Sequence, residues 1–120
     1  MKCIFVQTSV FVADWAQLKL DDDDLRELER LIMERGESAP IIRGAGGARK
    51  IRFSPTSRGS GKSGAFRVIY GWFPDVAQVY LFLVYGKNRQ GNLSADERDM
   101  CRELMSRIAK ALKNREDRKR

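Results

Sequence analysis

There is no histidine among the 120 residues, and there are only two cysteines. Without histidine, neither a Ser-His-Asp nor a Cys-His nucleophile can be assembled, and histidine-ligated zinc is excluded. Cys3 and Cys101 lie near opposite ends of the chain and cannot supply a four-cysteine metal site. One disulfide between them is possible. In a cytosolic protein the expected state is two reduced thiols packed as small apolar side chains. Catalysis is therefore expected to run on Lys, Arg, Asp, Glu, Tyr or a hydroxyl, with no metal and no cofactor. No apolar run approaches the roughly 18 residues that would span a bilayer. The opening Met1-Lys2-Cys3-Ile4-Phe5-Val6 lacks the long apolar core and small-residue cleavage site of a signal peptide. A cytoplasmic location is expected, with no membrane partner.

A third scarcity is local. Residues 41–93 carry nine basic side chains and one acidic one, Asp75, for a net charge of +8. Residues 1–40 are at −4 and residues 94–120 at +3, so the total of +7 is concentrated in the middle of the chain. A single-sign field of that kind attracts polyanions and steers their approach. Length and composition fit a single domain over residues 1–120, ending in a basic, solvated tail from about residue 113.

Along the chain, Lys2–Gln7 reads as a short strand. Thr8 or Ser9 can cap a helix whose apolar positions are Phe11, Val12, Trp15 and Leu18. The aspartates 21–24 precede Leu25, Leu28, Leu31 and Ile32 and read as a helix start, with Asp24 and Glu27 as its capping box, rather than as an acidic metal site. Gly36 ends that helix. These two helices are expected to cover one side of a sheet. Arg49–Phe53 alternates, with Lys50 and Arg52 on one face and Ile51 and Phe53 on the other. Phe66–Tyr70 is the next strand, and Val79–Tyr85, apolar on both faces, is a central one. Three strands joined without helices make an antiparallel meander. Ser94, with Glu97 three residues on, opens a last helix with a stripe of Met100, Cys101, Leu104, Met105, Ile108 and Leu112. The expected class is α+β: a small antiparallel sheet, two N-terminal helices on it and a C-terminal helix.

Gly59-Ser-Gly-Lys-Ser63 looks like the end of a phosphate-binding loop. Position 56 is Thr where that motif needs Gly, and a strand follows where it needs a helix, so nucleotide triphosphate binding is rejected. A stronger signal is the constellation of Lys50, Arg52 and Arg67 on adjacent strands, with Lys62 in the loop between them and Lys87 after the next strand. Like charges facing each other on a sheet cost about 0.2–1 kcal/mol per pair, so folding alone gives no reason for the cluster. A polyanion does. RNA also carries its own nucleophile, the 2′-OH beside each phosphate. Guanidinium forks match phosphate oxygens and can stabilise a phosphorane, and a lysine crowded by cations is shifted toward proton transfer. DNA, lacking the 2′-OH, would be bound but not cut in this way.

Three blocks, Gly46–Arg52, Gly61–Tyr70 and Tyr85–Ser94, resemble the HigB branch of RelE-type toxins, in the same order and with matching gaps. The resemblance implies the RelE-like fold and the toxin of a type II toxin–antitoxin pair. Such a toxin is a ribosome-dependent endonuclease that enters the A site, against ribosomal RNA, and cuts mRNA without a metal. It also implies an antitoxin partner, often with a helix-turn-helix domain. By position, Lys50 and Arg52 match the family's paired basic residues, Arg67 its strand arginine, and Lys87 its basic position after the last strand. These four are the expected catalytic centre, with Arg49, Lys62, Arg89 and Gln90 as flanking RNA contacts. Some family members use a tyrosine near the start of the final helix, where this chain has Leu93-Ser94. Tyr85 is the substitute if it faces the groove. Two alternatives are a ParE-like chain that poisons gyrase through protein contact, and a noncatalytic RNA- or ribosome-binding module. The dense cationic cluster favours the nuclease.

Overall fold

The computed structural model describes residues 2–58, 65–86, 88–89 and 92–118. In chain order they form β1 (Ile4–Gln7), α1 (Ser9–Gln17), α2 (Asp22–Arg35), β2 (Arg49–Phe53), β3 (Phe66–Phe73), β4 (Gln78–Gly86) and α3 (Ala95–Arg118). The four strands make one sheet in the order β1-β4-β3-β2. β2, β3 and β4 form the expected antiparallel meander, whereas β1 pairs with β4 in parallel, so the sheet is mixed. The topology dictates this. The helical crossover through α1 and α2 returns the chain to the end where it began, so β2 runs in the direction of β1. Two hairpin reversals later, so does β4.

Helices pack on both faces. Phe11 and Trp15 of α1 and Leu28 and Ile32 of α2 bury themselves against Ile51, Phe53, Val68, Tyr70, Val79 and Leu81. Phe11, Trp15 and Phe53 stack in series, with ring centroids 5.4 and 6.1 Å apart. On the other face Cys101, Leu104, Met105 and Ile108 of α3 cover Ile69, Phe82 and Leu83. Both cysteines are free, and burial raises the Cys101 thiol to a pKa of about 11, as befits a core side chain.

The caps show why these segments become helices. Thr8 caps α1, accepting the Phe11 N–H at 3.0 Å. The α2 capping box lies one turn earlier than the Asp24–Glu27 pair read from sequence. Asp21 is the N-cap, accepting from Asp24 N–H at 2.8 Å, and Asp24 accepts the Asp21 N–H in return at 3.0 Å. Asp24 is buried and also accepts the Ser57 hydroxyl at 2.6 Å. Burial would raise its carboxyl, but the bonds from Ser57 and Asp21 hold it below its ordinary value. Glu27 instead accepts from Thr56, so the turn after β2 is tied to α2. Ser94 and Glu97 make the expected reciprocal box at α3. From residue 113 the basic, solvated tail extends the last helix. It continues as helix to Arg118, and Leu112 and Lys113 line a cleft with Phe73 and Pro74.

The glycine-rich turn before β2 is required by α3. Gly46 has φ +69°, and a Cβ there would meet the Arg102 backbone at 3.0 Å. Gly46→Ala is expected to destabilise the protein by about 2 kcal/mol, through strain at positive φ and a displaced α3. The midpoint of urea unfolding measures it.

Candidate nucleic-acid interface

Strand pairing turns the basic constellation into a surface. Arg52 of β2 lies directly opposite Arg67 of β3, and Arg67 lies opposite Tyr85 of β4. Lys50, two residues before Arg52, shares their face. This is the face that α3 covers, but only in part. Its side chains close over Ile69 and Leu83 and leave Arg52 exposed, with Lys50, Arg67 and Tyr85 half-buried.

A β-bulge decides the direction of Tyr85. The β3–β4 register shifts between Ile69 and Tyr70, which pair with Leu83 and Leu81, so Phe82 is the extra residue. Leu81 packs in the α1–α2 core, while Phe82 and Leu83 both pack toward α3. Beyond the bulge the alternation of β4 is inverted, and Tyr85 emerges beside Arg67. The Phe82 carbonyl is satisfied from outside the ladder, by the Thr8 hydroxyl donating at 2.9 Å. Bulges of this kind commonly re-aim side chains next to sites.

Among the described residues the arginine pair has no carboxylate partner, and no ion pair involves Lys50. Arg67 makes only a long bond, at 3.4 Å, to the carbonyl of Phe66 on its own strand. Two guanidinium groups held in register on an open face are costly to folding and suited to an anion with several oxygens.

Tyr85 is held by a relay. The Arg89 guanidinium stacks 4.6 Å from the Tyr85 ring centroid and bonds to Glu97, whose other contacts cap α3. Bonding from Arg89 holds the Glu97 carboxyl below its ordinary value of 4.5. Burial raises the Tyr85 phenol despite Arg89 and Arg67 nearby, so it is a neutral hydroxyl at neutral pH. Burial also raises Asp14 of α1, opposed by Arg89. Glu97→Gln keeps a capping-box side chain while removing the charge. Because the folded-state pKa is depressed, the stability from this pair is present above the unfolded value and lost as pH falls through the folded one. Wild type should therefore exceed the variant by less than about 1 kcal/mol above pH 4.5. The difference should vanish on acidification, as read from urea unfolding at a series of pH values.

Arg49 falls outside the site. Its side chain points to the α2 face and donates to the Ala39 carbonyl at 2.8 Å, pinning the chain that follows α2. The expected RNA contact is thus a structural tie, because Arg49 alternates with Lys50 along the strand. Arg58, too, is turned away, donating to the Leu18 and Lys19 carbonyls at the end of α1. Lys62, Lys87 and Gln90 lie outside the described residues.

Beside Lys50 and Tyr85 opens a cleft of about 550 Å³, walled by the turn at residues 40–44 and by Asn92, Leu93 and Arg98. Among the described residues no carboxylate lines it. The sequence offered no signal for it, since Arg43 and Asn92 sit in irregular segments that only the fold brings to Lys50. Among the described residues no group of three His, Cys, Asp or Glu side chains could hold a metal ion, and no helix is long and apolar enough to cross a membrane.

No family model matches the chain. The solved structures that resemble it include two of one toxin. One is a mutant of the E. coli toxin RelE in the free state, with a TM-score of 0.53 at 18% identity, covering 88% of this chain and 99% of that one. The other is the isolated E. coli RelE toxin, with a TM-score of 0.45 at 18% identity, covering 86% and 99%. At that identity the first likeness speaks to architecture alone, and the chain has a RelE-like α+β fold.

Proposed function

We propose that this protein is the toxin of a type II toxin–antitoxin pair, of the HigB branch, and that its open basic face cuts mRNA on the ribosome. The observation that carries the proposal is the Arg52–Arg67 pair, held in register beside Lys50 and Tyr85 and, among the described residues, without a carboxylate partner. The RelE-like fold and the three sequence blocks support it.

In this reading the scissile phosphate rests on Arg52 and Arg67. Their donors match its non-bridging oxygens and stabilise the charge that builds on the phosphorane. The 2′-oxygen of the preceding nucleotide attacks phosphorus, its proton passing to a base on the face. The bond to the 5′-oxygen breaks, and that oxygen takes a proton. The products are a 2′,3′-cyclic phosphate and a 5′-hydroxyl. Lys50 and the neutral phenol of Tyr85 are the proton-carrying groups placed to serve these two transfers, and Lys87 is proposed to assist from the loop after β4. Lys62, Arg89 and Gln90 contact the flanking RNA. No metal enters any step. Substrate is presented in the ribosomal A site, and a cognate antitoxin, proposed to carry a helix-turn-helix domain, neutralises the protein in the cytoplasm.

The proposal is tested by expressing the protein with and without its neighbouring open reading frame and mapping mRNA 5′ ends. Growth arrest with new 5′-hydroxyl ends inside reading frames, relieved by the neighbour, is expected. Arrest with DNA damage and no new ends would instead indicate a gyrase poison. Ribosome binding without arrest would indicate a noncatalytic module.

A further inference from the structure

The ion pair behind Tyr85 is unlike the others. Among the described residues, three pairs join neighbouring turns of one helix, with every side chain at least 57% exposed. Pairs of that kind contribute little. Arg89–Glu97 instead ties the connection after β4 to the first turn of α3, with side chains only 34% and 24% exposed. Glu97 is itself fixed by the Ser94 N–H, which donates at 2.9 Å, and the guanidinium it holds lies over the Tyr85 ring. Asp14 of α1 stands close enough for the charges of Arg89 and Glu97 to bear on its carboxyl. Two carboxylates thus sit beside a face built for a polyanion, where each repels the ligand. A surface that only had to hold RNA gains nothing from them.

We infer that Glu97 is a positioning residue for cleavage: through Arg89 it fixes the Tyr85 ring, and with it the hydroxyl that protonates the departing 5′-oxygen. The inference rests on the nuclease reading above and on the proton transfer given there to Tyr85. A half-buried tyrosine near the end of a strand can swing between staggered χ1 rotamers, carrying its hydroxyl away from a phosphate held on Arg52 and Arg67. The guanidinium over the ring selects one of them. Because the hold is on the ring, the hydroxyl's own hydrogen bonds are left to the substrate. Glu97 touches no reacting atom in this scheme and acts only through Arg89.

The test is a double-mutant cycle, read by single-turnover cleavage on programmed ribosomes at saturating protein and by ribosome affinity. Glu97→Gln keeps the capping side chain, offers Arg89 only a neutral amide oxygen, and removes a negative charge from beside the RNA. Electrostatics alone would then tighten binding and leave cleavage as fast or faster. Positioning predicts a rate lower by about tenfold with affinity unchanged or tighter, a modest part of what a misplaced catalytic group costs. Added to Tyr85→Phe, the same change should slow cleavage by less than about twofold, because the hydroxyl it positions is already gone. Arg89 is a poorer probe, since its remaining donors are proposed to meet flanking RNA. Equal slowing by Glu97→Gln in both backgrounds would make Glu97 a general support of the fold and overturn the inference. A wild-type rate for Glu97→Gln alone, or for Tyr85→Phe alone, would overturn it too while the nuclease reading stands. If wild type makes no cuts at all, that reading fails and the inference with it.

Discussion

Arg67→Ala is expected to lower RNA cleavage by about 10²–10³-fold, the loss typical of removing one preorganised donor from a developing oxyanion. Arg67 is the central cation of the face, opposite Arg52 on one side and Tyr85 on the other. In the proposed reading its fork meets two oxygens of one phosphate. Arg67→Lys restores charge without the fork and should recover only part of the rate. Stability should move differently from activity. In wild type the Arg67 guanidinium faces that of Arg52, a repulsion of about 0.2–1 kcal/mol. Removing it should leave the melting temperature unchanged or slightly raised, and antitoxin binding intact. Cleavage at the wild-type rate by the alanine variant would remove the arginine pair from the centre. A large fall in melting temperature would show that Arg67 is a packing residue.

The second large effect is expected at Tyr85. Burial keeps its phenol neutral, so it can give a proton but does not sit as a phenolate ready to take one. Tyr85→Phe preserves the ring, its stack with Arg89 and the cleft wall, and removes only the hydroxyl. Single-turnover cleavage should slow by about 10²-fold with little change in substrate affinity, in line with loss of a general acid. Tyr85→Ala should add a loss of affinity. An unchanged rate for Tyr85→Phe would reduce Tyr85 to a stacking surface and leave the leaving-group proton to Lys50 or solvent.

Much of this was legible before the fold was known. The strand alternation Lys50-Ile51-Arg52 placed two cations on one face, and the meander brought Arg67 to them, because both follow from local periodicity and short connections. The Ser94–Glu97 cap was legible for the same reason. Tyr85 was not. Counting alternation from Val79 would send residues 81, 83 and 85 to the α1–α2 face, and a strand apolar on both sides gives no cue that the count is interrupted. The bulge at Phe82 inverts it, and its carbonyl is bonded by Thr8, a residue 74 positions away. Arg49 failed in the opposite way. It belongs to the cationic run, yet alternation turns it away from Lys50, and the carbonyl it serves sits in a segment without periodicity. The parallel pairing of β1 was hidden because short edge strands carry no sequence mark of their direction.

The central claim is that the basic face uses the RNA's own 2′-hydroxyl as nucleophile. The most direct measurement is cleavage on programmed ribosomes of two mRNAs that differ by a single 2′-deoxynucleotide immediately 5′ of the mapped cut, with chelator added to both. The unmodified message should be cut to a 2′,3′-cyclic phosphate and a 5′-hydroxyl end, and the deoxy message should remain whole while competing for the protein equally well. Cleavage of the deoxy message at a comparable rate would contradict the claim.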